Sequence, residues 1–168
     1  MPTHFRGSEK SVRALNAYIN LVRATDSLLA AAGAHIEAEG LTLGQFGVLE
    51  SLFHLGPMCQ KTLAEKLLRS PGNVTLVVDN LERKGWVRRE RQKDDRRMIT
   101  IHLTPEGRSL ISRTFPPHVK AIVKELSRLD SDELETLRRL CRKLGKGGTK
   151  SSAETLRGEK KHDTSSTE

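Results

Sequence analysis

Apolar residues recur with the period of a helix along most of this chain, and with the period of a strand only around residue 100. From Val12 to Ala38, the residues Val12, Leu15, Ile19, Val22 and Leu29 keep helical spacing with Arg13, Arg23 and Asp26 between them, which predicts one long amphipathic helix. Gly40 interrupts it, and Thr42 with Gln45 then makes a capping box for a second helix whose buried stripe is Leu43, Phe46, Leu49, Leu52 and Phe53. Gly56-Pro57 ends that helix. Two short helices follow over 60–68 and 71–84 with only Arg69-Ser70 between them, so the chain must turn sharply there. Ser70 suits the N-cap, Pro71 suits the first helical position, where its missing N–H costs nothing, and Gly85 is placed to close the helix in a left-handed conformation.

Trp86 to Arg91 reads as a strand, and from Met98 the residues Ile99, Ile101 and Leu103 alternate with Thr100 and His102. The polar run 92–97 between them is the tip of a hairpin. Thr104-Pro105-Glu106 starts another helix, which Pro116-Pro117 is expected to kink or break. Asp130 and Glu133 then frame a second capping box ahead of Leu134, Leu137, Cys141 and Leu144, with Cys141 read as a small core residue. Helix, turn, helix, hairpin is the order of a winged helix-turn-helix. The fold predicted is therefore mainly α with a small β-hairpin wing (α+β): an N-terminal dimerisation helix over 10–40, a winged helix-turn-helix over 41–104, C-terminal dimerisation helices over 105–145 and a disordered tail over 146–168. The flanking helices carry apolar stripes that a chain of this length has too little core to cover, which predicts a homodimer.

Charge narrows the partner. Lys and Arg number 29 against 21 Asp and Glu, a net charge of +8 that favours a polyanion. With one Trp and one Tyr, the chain has few rings on which to stack unpaired bases, so duplex DNA is the better expectation. No apolar run approaches the ~20 residues a membrane span needs, and the opening residues are polar, which predicts a cytoplasmic protein without membrane association. Cys59 and Cys141 have neither zinc-ligand nor disulfide-framework spacing, and the six histidines show no paired ligand spacing and read as surface positions, so no metal or cofactor is expected. A Gly-rich phosphate loop and a spacing that would justify a nucleophile-His-Asp set are both missing from the sequence, so an enzyme is not expected.

A duplex is read by a helix start placed in the major groove while amides, hydroxyls and cations hold the phosphates. Ser70, Pro71, Gly72, Asn73, Thr75 and Leu76 fit that helix start: they are small or hydrogen-bonding, Asn can address an adenine edge, and Thr a base or a phosphate. Taken alone, they could equally be the ordinary cap of a surface helix. The hairpin changes the balance: Lys84, Arg88, Arg89, Arg91, Lys93, Arg96 and Arg97 stand against Glu90, Asp94 and Asp95 directly after that helix. A short cationic hairpin is how an arginine reaches the narrow minor groove.

The runs Leu63-Ala64-Glu65-Lys66-Leu67, Ser70-Pro71, Val74-Thr75, Leu81-Glu82-Arg83-Lys84-Gly85-Trp86-Val87, Asp95-Arg96-Arg97 and Leu103-Thr104-Pro105-Glu106-Gly107 together resemble the MarR family of bacterial regulators, with coverage from about Val12 to Leu144. The resemblance implies a homodimer on a pseudo-palindromic operator in double-stranded DNA, with interlocked first and last helices, a recognition helix in each major groove and a wing in each flanking minor groove. Arg97 resembles the family's minor-groove arginine and Asp95 the carboxylate that orients it. Gly72 and Asn73 stand where many members have Ser or Thr, so the base preference does not transfer. Residues 45–50, 72–75 and 78–82 are most similar to the branch that answers to quinones and phenolic compounds. That implies a repressor released by a small aromatic effector, held in the crevice between the dimer helices and the reading head.

Cys59 falls where the family usually shows Ser or Thr as a cap, and a thiol there can have a lowered pKa, so a redox-sensing regulator is an alternative. The oxidation-sensing branch carries its cysteine in the first helix, where this sequence has none. A winged-helix protein that binds RNA and an architectural binder indifferent to sequence also fit the charge and the element order.

Overall fold

The structure, a computed structural model, describes residues 3–67, 70–91 and 99–158, and falls into two units, Met1–Glu125 and Leu126–Glu168. In the first unit, helix α1 spans Glu9–Ala38, starting on a Ser8 cap that accepts the Ser11 N–H. Helix α2 (Leu43–Leu55) starts on the complete Thr42/Gln45 capping box. A two-residue strand β1 (Met58–Cys59) leads into α3 (Gln60–Lys66), and α4 (Pro71–Arg83) follows on its Ser70 cap with Pro71 in the first turn. Gly85 (φ 72°) turns the chain out of α4 into β2 (Val87–Arg91), which pairs with β3 (Ile99–Leu103), and α5 (Pro105–Leu126) completes the set.

The hairpin gains an unforeseen third strand. The sheet order is β1-β3-β2, both pairs antiparallel, with Met58 opposite Ile101 and Val87 opposite Leu103. Two residues carry no readable period, which is why β1 escaped the pattern. Its effect is to tie the start of α3 to the wing.

Core side chains come from every helix of this unit and from β2 and β3, with the partly buried Met58 of β1 packed against them. Ile36, Leu49, Leu52, Leu63, Leu81, Ile101, Leu110 and Ile111 are essentially inaccessible, each contributing about 1.5–3 kcal/mol by its burial. The N-terminal stripe behaves differently: α1 buries only Ala32, Gly33 and Ile36 near its C-terminal end, while Tyr18, Leu21, Val22 and Leu29 stay exposed.

Pro116 and Pro117 do not end α5. Each removes one backbone bond, from the Ser112 and Arg113 carbonyls, but both prolines and both of those residues are open to solvent at least in part, so water can serve the freed groups. Buried Thr114 holds the same turn together by donating its hydroxyl to the Leu110 carbonyl at 2.8 Å.

The start of α5 is fastened to the wing. Thr104 donates its hydroxyl to the Gly85 carbonyl (2.7 Å) and accepts the Gly107 N–H (3.0 Å), while its own N–H goes to the Trp86 carbonyl. Gly107 lies so close to Trp86 that a Cβ there would fall 1.9 Å from the Trp86 carbonyl oxygen.

In the second unit, α6 spans Ser131–Gly158 behind the reciprocal Asp130/Glu133 capping box. The backbone is helical past Lys146, where composition predicts a tail without structure; no proline interrupts it. Leu137, Leu140, Leu144 and Cys141 are all exposed. Cys141 is therefore not a core residue of its own unit: among the described residues its stripe stays exposed. Among the described residues, no helix is long and apolar enough to cross a membrane and no His, Cys, Asp or Glu cluster could hold a metal.

Candidate nucleic-acid interface

Helix α4 divides cleanly into two faces. Val74, Val78 and Leu81 point into the core, which leaves Pro71, Gly72, Asn73, Thr75 and Leu76 exposed, Leu76 to 61%. The Ser70 hydroxyl accepts the Asn73 N–H at 3.4 Å and fixes the first turn, so the Asn73 side chain projects from a capped helix start. Thr75 is engaged on two sides: its hydroxyl donates back to the Pro71 carbonyl at 3.0 Å and accepts an N–H from the Gln60 side chain at the start of α3.

The wing cations do different kinds of work. Arg89 donates to Asp79 and to Glu82 on α4, both at 2.5 Å, and its backbone N–H also meets Glu82. Burial disfavours the Arg89 charge, but these two carboxylates outweigh it and raise the guanidinium pKa above its usual value. Lys84 reaches the Gly40 carbonyl at 2.9 Å and lies over the Trp86 ring. Two of the cations counted in the charge of the hairpin region thus hold α4, β2 and the α1–α2 turn together. Arg88 is exposed on the other face of β2 and pairs with Glu90 at 2.5 Å. Strand parity carried this signal, because Arg89 is two residues from buried Val87 and so shares its inward face. Lys93, Asp95, Arg96 and Arg97 lie outside the described residues.

Cys59 is the N-cap of α3, half-buried, with its sulfur 3.1 Å from the Thr62 hydroxyl. The Thr62 hydroxyl, and after it the Thr62 backbone N–H, hold the thiol below its usual pKa. Under α4, a cavity of about 350 Å³ is lined by Gly44, Gly47, Val48, Leu67, Val74 and Val77. Beside α2, His35 and His118 are half-buried rather than on the surface: their rings sit 5.5 Å apart, His118 also packs on Phe46, and its Nδ1 lies 3.3 Å from the Ala32 carbonyl. Burial and then His118 hold the His35 pKa below 6.5.

Residues 41–99, the span that holds this helix pair and the first part of the wing, match the MarR family. The Bacillus subtilis HTH-type transcriptional regulator YkoM is 34% identical over 137 residues, covering 82% of this chain and 89% of its own. The chain belongs to the MarR family. A second relative of the same bacterium, the HTH-type transcriptional regulator MhqR, is 32% identical over 79% of this chain and 92% of its own. Among solved structures, the MarR family regulator Sco3205 of Streptomyces coelicolor, crystallised in complex with DNA, superposes with a TM-score of 0.76 at 24% identity, covering 86% of this chain and 91% of its own. This MarR-family protein is accordingly a winged-helix, DNA-binding transcriptional regulator.

Proposed function

We propose that the protein is a sequence-specific repressor that binds a pseudo-palindromic operator as a homodimer and is released by a small aromatic ligand. The observation that carries this is the exposed face of α4, where Asn73, Thr75 and Leu76 stand on a helix locked to the wing by Arg89. Side chains on so rigid a support suit base readout, since their positions are set before DNA arrives. The uncovered leucines of α6 and the exposed Tyr18, Leu21, Val22 and Leu29 of α1 support a second copy as partner. Repression follows from occupancy: helices in two major grooves and wings beside them exclude other proteins from that stretch. The effector crevice between dimer helices and reading head, of quinone or phenol chemistry, comes with the family resemblance.

Duplexes selected from a random pool by the purified protein test this reading. Two half-sites about one helical turn, ~10 bp, apart are expected, because a two-fold dimer presents both helices to one face of the duplex. A pool with no enriched sequence, or retention of structured RNA over duplex, would sink it. Catechol and benzoquinone titrated against the selected duplex test release.

The lowered Cys59 pKa favours a second trigger, oxidation of its thiolate. Peroxide should then release DNA from the wild type but not from Cys59→Ser, and equal release from both would remove Cys59 from the mechanism.

A further inference from the structure

The α3–α4 contact holds a polar pair that the sequence does not announce. Gln60, in the first turn of α3, donates an amide N–H to the hydroxyl of Thr75, one turn into α4. We propose that Gln60 is a base-reading residue, held by Thr75 in the orientation that recognises an adenine in the major groove. This rests on the DNA-reading assignment of α4 given above.

Counting hydrogen-bond capacity leads there. A threonine hydroxyl has one proton and two lone pairs, and the Thr75 proton is committed to the Pro71 carbonyl. The hydroxyl can therefore only accept from Gln60, which settles the direction of the amide: Nε2 faces Thr75 and Oε1 points away. It also changes the role open to Thr75. A phosphate oxygen only accepts, so a hydroxyl whose proton is already donated cannot anchor a phosphate.

With Thr75 accepting the N–H trans to Oε1, as the proposal requires, Gln60 keeps its other N–H and its carbonyl oxygen side by side on one edge of a planar amide. Adenine presents in the major groove a ring nitrogen that accepts and an amino group that donates, the complement of that edge. Gln60 is only half-buried, and its partner Thr75 is exposed on the same helix as Asn73. Free glutamine must give up its side-chain rotations to make two such bonds. Here the contact with Thr75 has removed part of that freedom before DNA binds. The pair also rests on a fixed base, because β1 sets the residue before Gln60 against Thr100 of β3.

The test uses the full-length protein and the duplex it selects, with each base pair of the half-site changed in turn and a random duplex as reference. Gln60→Ala should lose roughly tenfold or more discrimination at one base pair per half-site. Its random-duplex affinity and salt dependence should not change. Thr75→Val, which keeps the shape and removes the hydroxyl, should weaken discrimination at that same base pair. Adding it to Gln60→Ala should cost nothing further there, since the two act as one unit. Gln60→Glu, which has no proton for Thr75 or for the adenine ring nitrogen, should lose the adenine preference at that base pair as Gln60→Ala does. Thermal melts of each variant matching the wild type show that the fold is intact. If Gln60→Ala keeps full discrimination at every base pair while Asn73→Ala loses it, DNA reading stands and Gln60 is not part of it. If the wild type itself fails to separate the selected duplex from random DNA, the proposal falls together with the reading beneath it.

Discussion

The reading head and the last helix are built from similar residues put to opposite use. In the head, leucines such as Leu63 and Leu81 are fully enclosed, and Arg89 and Lys84 are turned onto carboxylates, a carbonyl and a ring of the same chain. On α6, Leu140 is 50% and Leu144 65% exposed, and Arg138 forms a bridge to Glu135 of its own helix. An amphipathic stripe on its own does not say whether its cover lies within the chain or outside it. Enclosure on one side and exposure on the other make the head a self-sufficient unit and leave α6 with an apolar face still to be covered.

Removing α6 is the strongest way to break that contrast. Truncation after Asp130 deletes Leu134, Leu137, Leu140 and Leu144, whose burial against a second copy would be worth ~1.5–3 kcal/mol each. Sedimentation at micromolar concentration should then show a monomer whose head still melts cooperatively; a persistent dimer would place the interface elsewhere. A paired comparison sharpens the point. Leu63→Ala should destabilise the head by about 2–5 kcal/mol in urea titration. Leu140→Ala should leave unfolding of the dilute monomer within about 0.5 kcal/mol of wild type and change only the dimer dissociation constant.

Gly107→Ala drives a methyl against the Trp86 carbonyl and should cost about 1–3 kcal/mol or more, read as a lower melting temperature. Arg89→Ala leaves Asp79 and Glu82 facing each other without their cation, with an expected loss of about 1–3 kcal/mol. The same change should weaken operator binding through a loosened wing while the salt slope is kept. Arg97→Ala should instead flatten the slope of log affinity against log salt, by about one unit for each phosphate that its guanidinium neutralises in each subunit.

The smallest effect concerns pH. Because the folded protein holds the His35 pKa below 6.5, the unfolded chain takes up a proton first as pH falls. The stability this histidine contributes is therefore complete above pH 6.5 and declines as pH drops through the folded pKa. Urea midpoints across that range should fall in the wild type and fall less in His35→Gln; parallel curves would show that the proton goes elsewhere.

Much of this was legible beforehand, for reasons tied to particular residues. The caps at Thr42, Ser70 and Asp130 and the left-handed Gly85 are local chemistry, so sequence alone places them. Strand β1 has only two residues, and its existence depends on Ile101 and Thr100, more than forty positions on. Strand parity separates Arg88 from Arg89, but the carboxylates that Arg89 meets are set by α4 lying beside β2. Arg88 and Arg89 are neighbours in sequence, yet one pairs along its own strand and the other crosses to α4. Gln60 stands 15 positions before Thr75, so no local pattern in the sequence pairs the two.

The two residues of β1 have a mechanical consequence. Strand β3 runs between β1 and β2, so a force applied at the Arg91–Ile99 end of the hairpin passes along β3 into Met58 and Cys59 and on to the first turn of α3. The head is thus braced like a lever with its fulcrum at Ile101. On the docking proposed above, with the wing in a minor groove and α4 in the major groove beside it, a duplex of unsuited minor-groove width would load the wing and through β3 disturb Gln60, so groove width at one place would be felt as base fit at another.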